Sequence, residues 1–130
     1  MPTPRDLIQA ARAARRRAYA PYSTFRVGAA LETSEGVIVT GCNVENASYG
    51  LTMCAERVAM FTAIAAGHRH FRRIAIVADT QAPTPPCGAC RQVLWESGGD
   101  LEVILGNLRR EQSRHQLRDL LPHAFKLVDR

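Results

Sequence analysis

The chain has 130 residues, 46% of them apolar and 22% charged, with a net charge of +5 carried almost wholly by arginine, since Lys126 is the only lysine. That length favours one domain over residues 1–130, with room for a real core, and the composition excludes a disordered chain. No stretch approaches the roughly 20 apolar residues of a membrane span, and the arginine-rich start lacks the apolar centre of a secretion signal, so a cytoplasmic protein with reduced thiols is expected.

Thr3-Pro4-Arg5-Asp6 reads as a helix start: a hydroxyl cap, proline at the first helical position and an acid near the positive end of the dipole. Leu7, Ile8, Ala11, Ala14 and Ala18 recur at helical spacing, and Pro21 ends the run. Arg12, Arg15, Arg16 and Arg17 fall within this helix. No aromatics alternate with them, so a solvated face accounts for them more simply than a polynucleotide track.

Residues 25–31 and 37–42 are rich in β-branched and apolar side chains, and Ser34-Glu35-Gly36 between them supplies a turn, so a β-hairpin is predicted. Residues 43–53 follow neither period and contain Asn46, Ser48 and Gly50, which makes them a loop leading to Cys54. The spacing then predicts a buried helix over 54–66 closed by Gly67, a buried strand over 74–78 and a proline-rich loop over 81–86. A helix over 87–96, stopped by Ser97-Gly98-Gly99, a strand over 101–105 and a short helix over 117–121 ended by Pro122 complete the chain. Strands interleaved with helices imply a two- or three-layer α/β arrangement.

The chemistry lies in Cys54-Ala55-Glu56 and in Pro86-Cys87-Gly88-Ala89-Cys90. Cys87 and Cys90, three apart at a helix start, face one way and can grip one ion, and Cys54 begins the other buried helix. A structural zinc site takes four ligands; three leave a tetrahedral position for water, which zinc activates near neutral pH. Alone, Cys87-Gly88-Ala89-Cys90 also suits a redox pair or half of a structural zinc knuckle, and Cys54-Ala55-Glu56 is what favours a catalytic metal. Glu56, two residues beyond a ligand, is placed to shuttle a proton beside the metal, although a first-turn glutamate can also serve only the helix dipole. Arg57 could offset the negative charge of three thiolates by donating toward their sulfurs, or could be a surface arginine. Cys42 reads as a small buried hydrophobe, and His68, His70, His115 and His123 lack ligand spacing.

Cys54, Glu56, Cys87 and Cys90 match the three-cysteine form of the zinc deaminase signature. A fuller likeness covers Tyr19-Ala20-Pro21-Tyr22-Ser23, Phe25 with Val27-Gly28-Ala29-Ala30, and Gly41-Cys42-Asn43-Val44-Glu45-Asn46-Ala47. It continues through Cys54-Ala55-Glu56-Arg57, Pro86-Cys87-Gly88-Ala89-Cys90-Arg91-Gln92-Val93 and Leu121-Pro122 with Ala124-Phe125. By these stretches the chain closely resembles the small homotetrameric, zinc-dependent cytidine deaminases. The resemblance implies a three-layer α/β/α sandwich around a mixed five-stranded sheet, one zinc per subunit held between two helices, and active sites completed by neighbouring subunits.

It also implies that Phe25 packs on the pyrimidine, Asn43 and Glu45 bind ribose hydroxyls, Ala55 offers its backbone to the base, and Tyr49 and Phe125 reach toward a partner's site. In the mechanism so implied, zinc hydroxide attacks C4 of cytosine, and Glu56 carries a proton to N3 and then to the leaving amine. The substrates would be free cytidine and 2′-deoxycytidine, in pyrimidine salvage. Val58 departs from a threonine common after the Glu-Arg pair, and His123 from a glycine common in the Leu-Pro-x-Ala-Phe tail. A blasticidin S-type substrate is the competing enzyme reading, opposed by the Asn43-Val44-Glu45-Asn46 motif. Polynucleotide editing is opposed by Glu45, whose charge and position would clash with a continuing phosphate. A non-enzymatic zinc module is opposed by Glu56, a base beside an open position.

Overall fold

The structure is a computed structural model that describes residues 1–127. Four helices and five strands follow one another as α1 (Pro4–Arg15), β1 (Val27–Thr33), β2 (Ile38–Cys42), α2 (Ala55–Ala65), β3 (Phe71–Ala78), α3 (Gly88–Gly98), β4 (Glu102–Gly106), β5 (Glu111–Gln116) and α4 (Leu117–Leu120). The strands form one mixed sheet in the order β2-β1-β3-β4-β5, in which only β3 and β4 run parallel, joined by the α3 crossover.

Alternation along the strands sends side chains to two faces, and each face is covered. Leu7, Ile8 and Ala11 of α1 pack on Ala30, Ala75, Val77 and Ile104. On the other face, Ala55, Ala59, Met60 and Ala63 of α2 and Leu94 of α3 pack on Ala29, Leu31, Ile74, Ile76, Val103 and Leu105. The result is the three-layer α/β/α sandwich. Burial of Leu7 and Ile8 stabilises the first layer by roughly 1.5–3 kcal/mol each.

Several boundaries differ from the sequence expectation, and one strand, β5, is absent from it. α1 stops at Arg15 rather than running to Pro21: the amides of Arg16, Arg17 and Ala18 bond to carbonyls three residues back, and the Tyr19 amide turns to the Asn43 carbonyl. That tightening is how many helices end. β1 begins at Val27 instead of Phe25, because the Asn43 side chain takes the Phe25 carbonyl and the Val27 amide. β3 begins at Phe71 rather than residue 74, and its Arg73 brings Nε to 3.1 Å from a carboxylate oxygen of Glu32, a fully buried residue of β1. β5, Glu-Gln-Ser-Arg-His-Gln, has no apolar alternation and is held by pairing with β4.

Candidate active site

Two helix N-termini converge beside the central strands β1 and β3. Cys54 is the cap residue of α2 and Cys87 the cap residue of α3, both in extended backbone. The Cys87 sulfur accepts the Cys90 amide at 3.4 Å, which closes the first turn of α3 and points both thiols one way. Pro86, the residue before the cap, is tied by its carbonyl to Arg91 Nε at 2.8 Å, and Arg91 Nη1 reaches the Leu120 carbonyl at 2.7 Å. Gln92 in turn donates to the Phe125 carbonyl.

The sulfurs of Cys54, Cys87 and Cys90 all lie within 4.8 Å of one another, the only such group of metal-ligating side chains among the described residues. A tetrahedral zinc with sulfur at about 2.3 Å separates its sulfurs by about 3.8 Å. The spacings here are 4.0 Å for Cys54–Cys87 and 3.2 Å for Cys87–Cys90, so the three fit one ion with a small opening of the second pair. Thiols this close do not all ionise without a cation. Hydrogen bonding from Cys90, with Arg57 beside it, draws the Cys54 thiol down to about 5, while that bond and burial push Cys90 up.

Glu56 stands in the first turn of α2, 5% exposed. Burial, reinforced by charge on Cys54, raises its carboxyl to about 7. That environment keeps a carboxyl ready to change protonation state near neutral pH. Arg57 puts Nη2 at 3.4 Å from the Cys54 sulfur. Cys42 lies outside the three-sulfur group, and His115 bonds to the Ser113 hydroxyl.

A cleft of about 240 Å³ opens onto these groups, with Phe25, Asn43, Ala55, Glu56, Cys54 and Cys87 in its lining. Val27 and Ile76 of the sheet, with Thr52, Met53, Thr84 and Pro85, complete its walls, and the last four carry no sequence signal beyond membership of a loop. Asn43 is buried and uses its amide on the backbone, donating to the Phe25 carbonyl at 2.8 Å and accepting from the Val27 amide at 2.9 Å. Glu45 does not line the cleft: its carboxylate accepts the amides of Tyr22 and Ser23 at 3.0 and 3.1 Å and the Ser23 hydroxyl, bonds that hold its pKa below the ordinary value. Tyr49 and Phe125 are 77% and 65% exposed and lie outside the lining. The positioning roles of Arg91, Gln92 and Ser23 are findings of the structure, although all three stand inside the motifs that carry the resemblance.

Comparison with known proteins points to one family. Residues 1–107 match the family described as the cytidine and deoxycytidylate deaminase zinc-binding region. A cytidine deaminase of Halalkalibacterium halodurans is 52% identical over 124 residues, covering 95% of this chain and 94% of that protein. The crystal structure of cytidine deaminase from Burkholderia pseudomallei superimposes with a TM-score of 0.92 at 56% identity, covering 95% of this chain and 100% of that one. The structure of cytidine deaminase from Mycobacterium tuberculosis gives a TM-score of 0.78 at 44% identity, covering 93% and 95%.

Proposed function

The chain belongs to the cytidine and deoxycytidylate deaminase family and is a zinc-dependent cytidine deaminase, and from that premise we propose that it hydrolyses free cytidine and 2′-deoxycytidine to uridine and 2′-deoxyuridine, in pyrimidine salvage. The observation that carries this reading is the buried Glu56 beside the three thiols, at the end of a cleft with Phe25 and Asn43 in its walls. Cys54, Cys87 and Cys90 would hold the zinc. When bound, zinc supplies the Lewis acidity that makes a water nucleophilic near neutral pH.

The chain's own residues do the rest. Glu56 takes a proton from the attacking water, delivers it to N3 of the pyrimidine and then serves the departing amine, so that one water is consumed, a C4–O bond forms, the C4–N bond breaks and ammonia leaves. Its carboxyl, raised to about 7, suits both the taking and the giving. Phe25 packs on the pyrimidine face, and the Ala55 backbone offers a hydrogen bond to the base. Asn43 holds Phe25 in place through its bonds to that segment and meets the ribose with its remaining amide proton. Glu45 takes a ribose hydroxyl in exchange for the Ser23 hydroxyl. Arg57 balances charge at the Cys54 sulfur.

The 130 residues act in this reading as one domain, in the cytoplasm, within a homotetramer. What supports the assembly is exposed apolar surface: Tyr49, Leu51, Phe61 and Phe125 are 77%, 67%, 45% and 65% exposed. Tyr49 and Phe125, absent from their own cleft, are free to complete a neighbour's. Among the described residues no helix is long and apolar enough to cross a membrane.

Ammonia release by the zinc-loaded protein tests the assignment, with cytidine, 2′-deoxycytidine, cytidine monophosphate, blasticidin S and a cytosine-containing single-stranded oligonucleotide as substrates. The two free nucleosides should be turned over. Activity confined to the oligonucleotide or to blasticidin S would overturn it.

A further inference from the structure

A second cleft lies between α1 and the β4–β5 turn, with a volume of about 480 Å³ and Arg5, Arg12, Arg109, Arg110, Arg114 and Glu111 in its walls. Five guanidinium groups thus face one carboxylate. Glu111 is already engaged by Arg114, whose Nη2 lies 2.9 Å from it, and among the described residues no carboxylate lies within ion-pair distance of the other four arginines. Residues a hundred positions apart in sequence therefore gather four unopposed positive charges, an arrangement that repels itself unless an anion joins it.

The frame is rigid. Arg12 is half-buried, and its Nε donates to the Asn107 carbonyl at 2.9 Å. Asn107 is itself 4% exposed; its side-chain oxygen accepts the amides of Arg109 and Arg110, both at 2.9 Å, and its amide group donates to the Thr80 carbonyl at 3.1 Å. The backbone of both turn arginines is thereby fixed while their side chains stay exposed. Asn107 thus closes the hairpin turn that carries Arg109 and Arg110 opposite the arginines of α1.

We propose that this cleft binds the phosphate chain of a triphosphate. At the end of a nucleoside such a chain carries about four negative charges near neutral pH, since a phosphate ester loses its last proton near pH 6, and the cleft offers four arginines without an ion-pair partner among the described residues. Guanidinium groups suit it because each offers paired donors to phosphate oxygens. The volume falls within the range of about 300–1,000 Å³ usual for small ligands. No aromatic side chain lines the cleft to stack a base, so recognition rests on phosphate alone. The arginines lie outside the deamination cleft, and the proposal does not depend on the substrate reading.

Calorimetry with inorganic tripolyphosphate and the zinc-loaded full chain tests it, at near-physiological salt. Saturable one-to-one binding is expected, with affinity lowered about tenfold or more in the Arg109→Ala/Arg110→Ala double variant and in Arg5→Ala, each of which removes charge-assisted bonds from an exposed side chain. Both variants should keep the wild-type melting temperature and cytidine turnover. Withdrawal of zinc by the probe would act equally on all three proteins, so it cannot mimic the difference. Nucleoside triphosphates should bind as well as tripolyphosphate whatever their base. The proposal fails if binding is not saturable, if both variants bind like wild type, if orthophosphate binds as tightly as tripolyphosphate, or if single-stranded RNA binds more tightly with an affinity that grows with its length.

Discussion

Glu56 owes its chemistry to position. An exposed first-turn glutamate would be ionised and would serve only the helix dipole, whereas this one is 5% exposed beside three thiols and titrates near 7. Glu56→Gln should therefore keep its zinc and lose turnover by about 10²–10⁴-fold, measured as zinc content and ammonia release on one preparation. Near-wild-type turnover would remove Glu56 from the proton transfer. Arg57→Ala deletes the donor 3.4 Å from the Cys54 sulfur and should lower kcat or zinc affinity by about 10–100-fold, as expected of groups that orient and tune a ligand. The sulfur and carboxylate positions were legible in the sequence because short spacings on helix starts fix them. Asn43 and Glu45 stood out only through family likeness, since their partners, the 22–27 segment, lie some twenty residues away and reach them only in the fold.

Elements pack closely on both faces of the sheet. A Cβ on Gly28 would lie 2.0 Å from the Ala11 carbonyl oxygen, and one on Gly41 would lie 2.5 Å from the Ala59 amide nitrogen, both backbone atoms of covering helices. Gly28→Ala or Gly41→Ala should thus destabilise the chain by about 1–3 kcal/mol or more, read from urea midpoints, with Gly41→Ala also disturbing α2 and the site it caps. At the start of α1, where the sequence places a hydroxyl cap and an acid, Thr3 and Asp6 form a reciprocal capping box. Asp6 has its pKa lowered by the bonds to Thr3, so its contribution is present above the ordinary value of 3.8 and is lost as pH falls through the lowered one. The melting-temperature gap between wild type and Asp6→Asn should accordingly close on acidification. An unchanged gap would exclude the cap. β5 stayed illegible because its stability comes from the ladder with β4 and not from any apolar period of its own. The end of α1 was missed for a related reason: Ala18 is buried and continues the apolar spacing, but the Tyr19 amide is claimed by Asn43.

At the scale of the whole molecule, the deamination cleft opens at the starts of α2 and α3, while the arginine-lined cleft lies between α1 and the β4–β5 turn. If Phe125 completes a neighbour's site, Phe125→Ala should raise KM without lowering the melting temperature. Mixing it with Glu56→Gln subunits should then restore activity, since each mutant chain supplies what the other lacks. Failure to recover in demonstrably mixed oligomers would assign Phe125 to its own subunit. One zinc on Cys54, Cys87 and Cys90 is expected to drive deamination of free cytidine. This is tested most directly by stripping the protein with a chelator and following cytidine turnover as zinc is returned. Turnover should be negligible in the stripped protein and rise linearly to an end point at one zinc per chain. Undiminished turnover after complete removal of metal would contradict it.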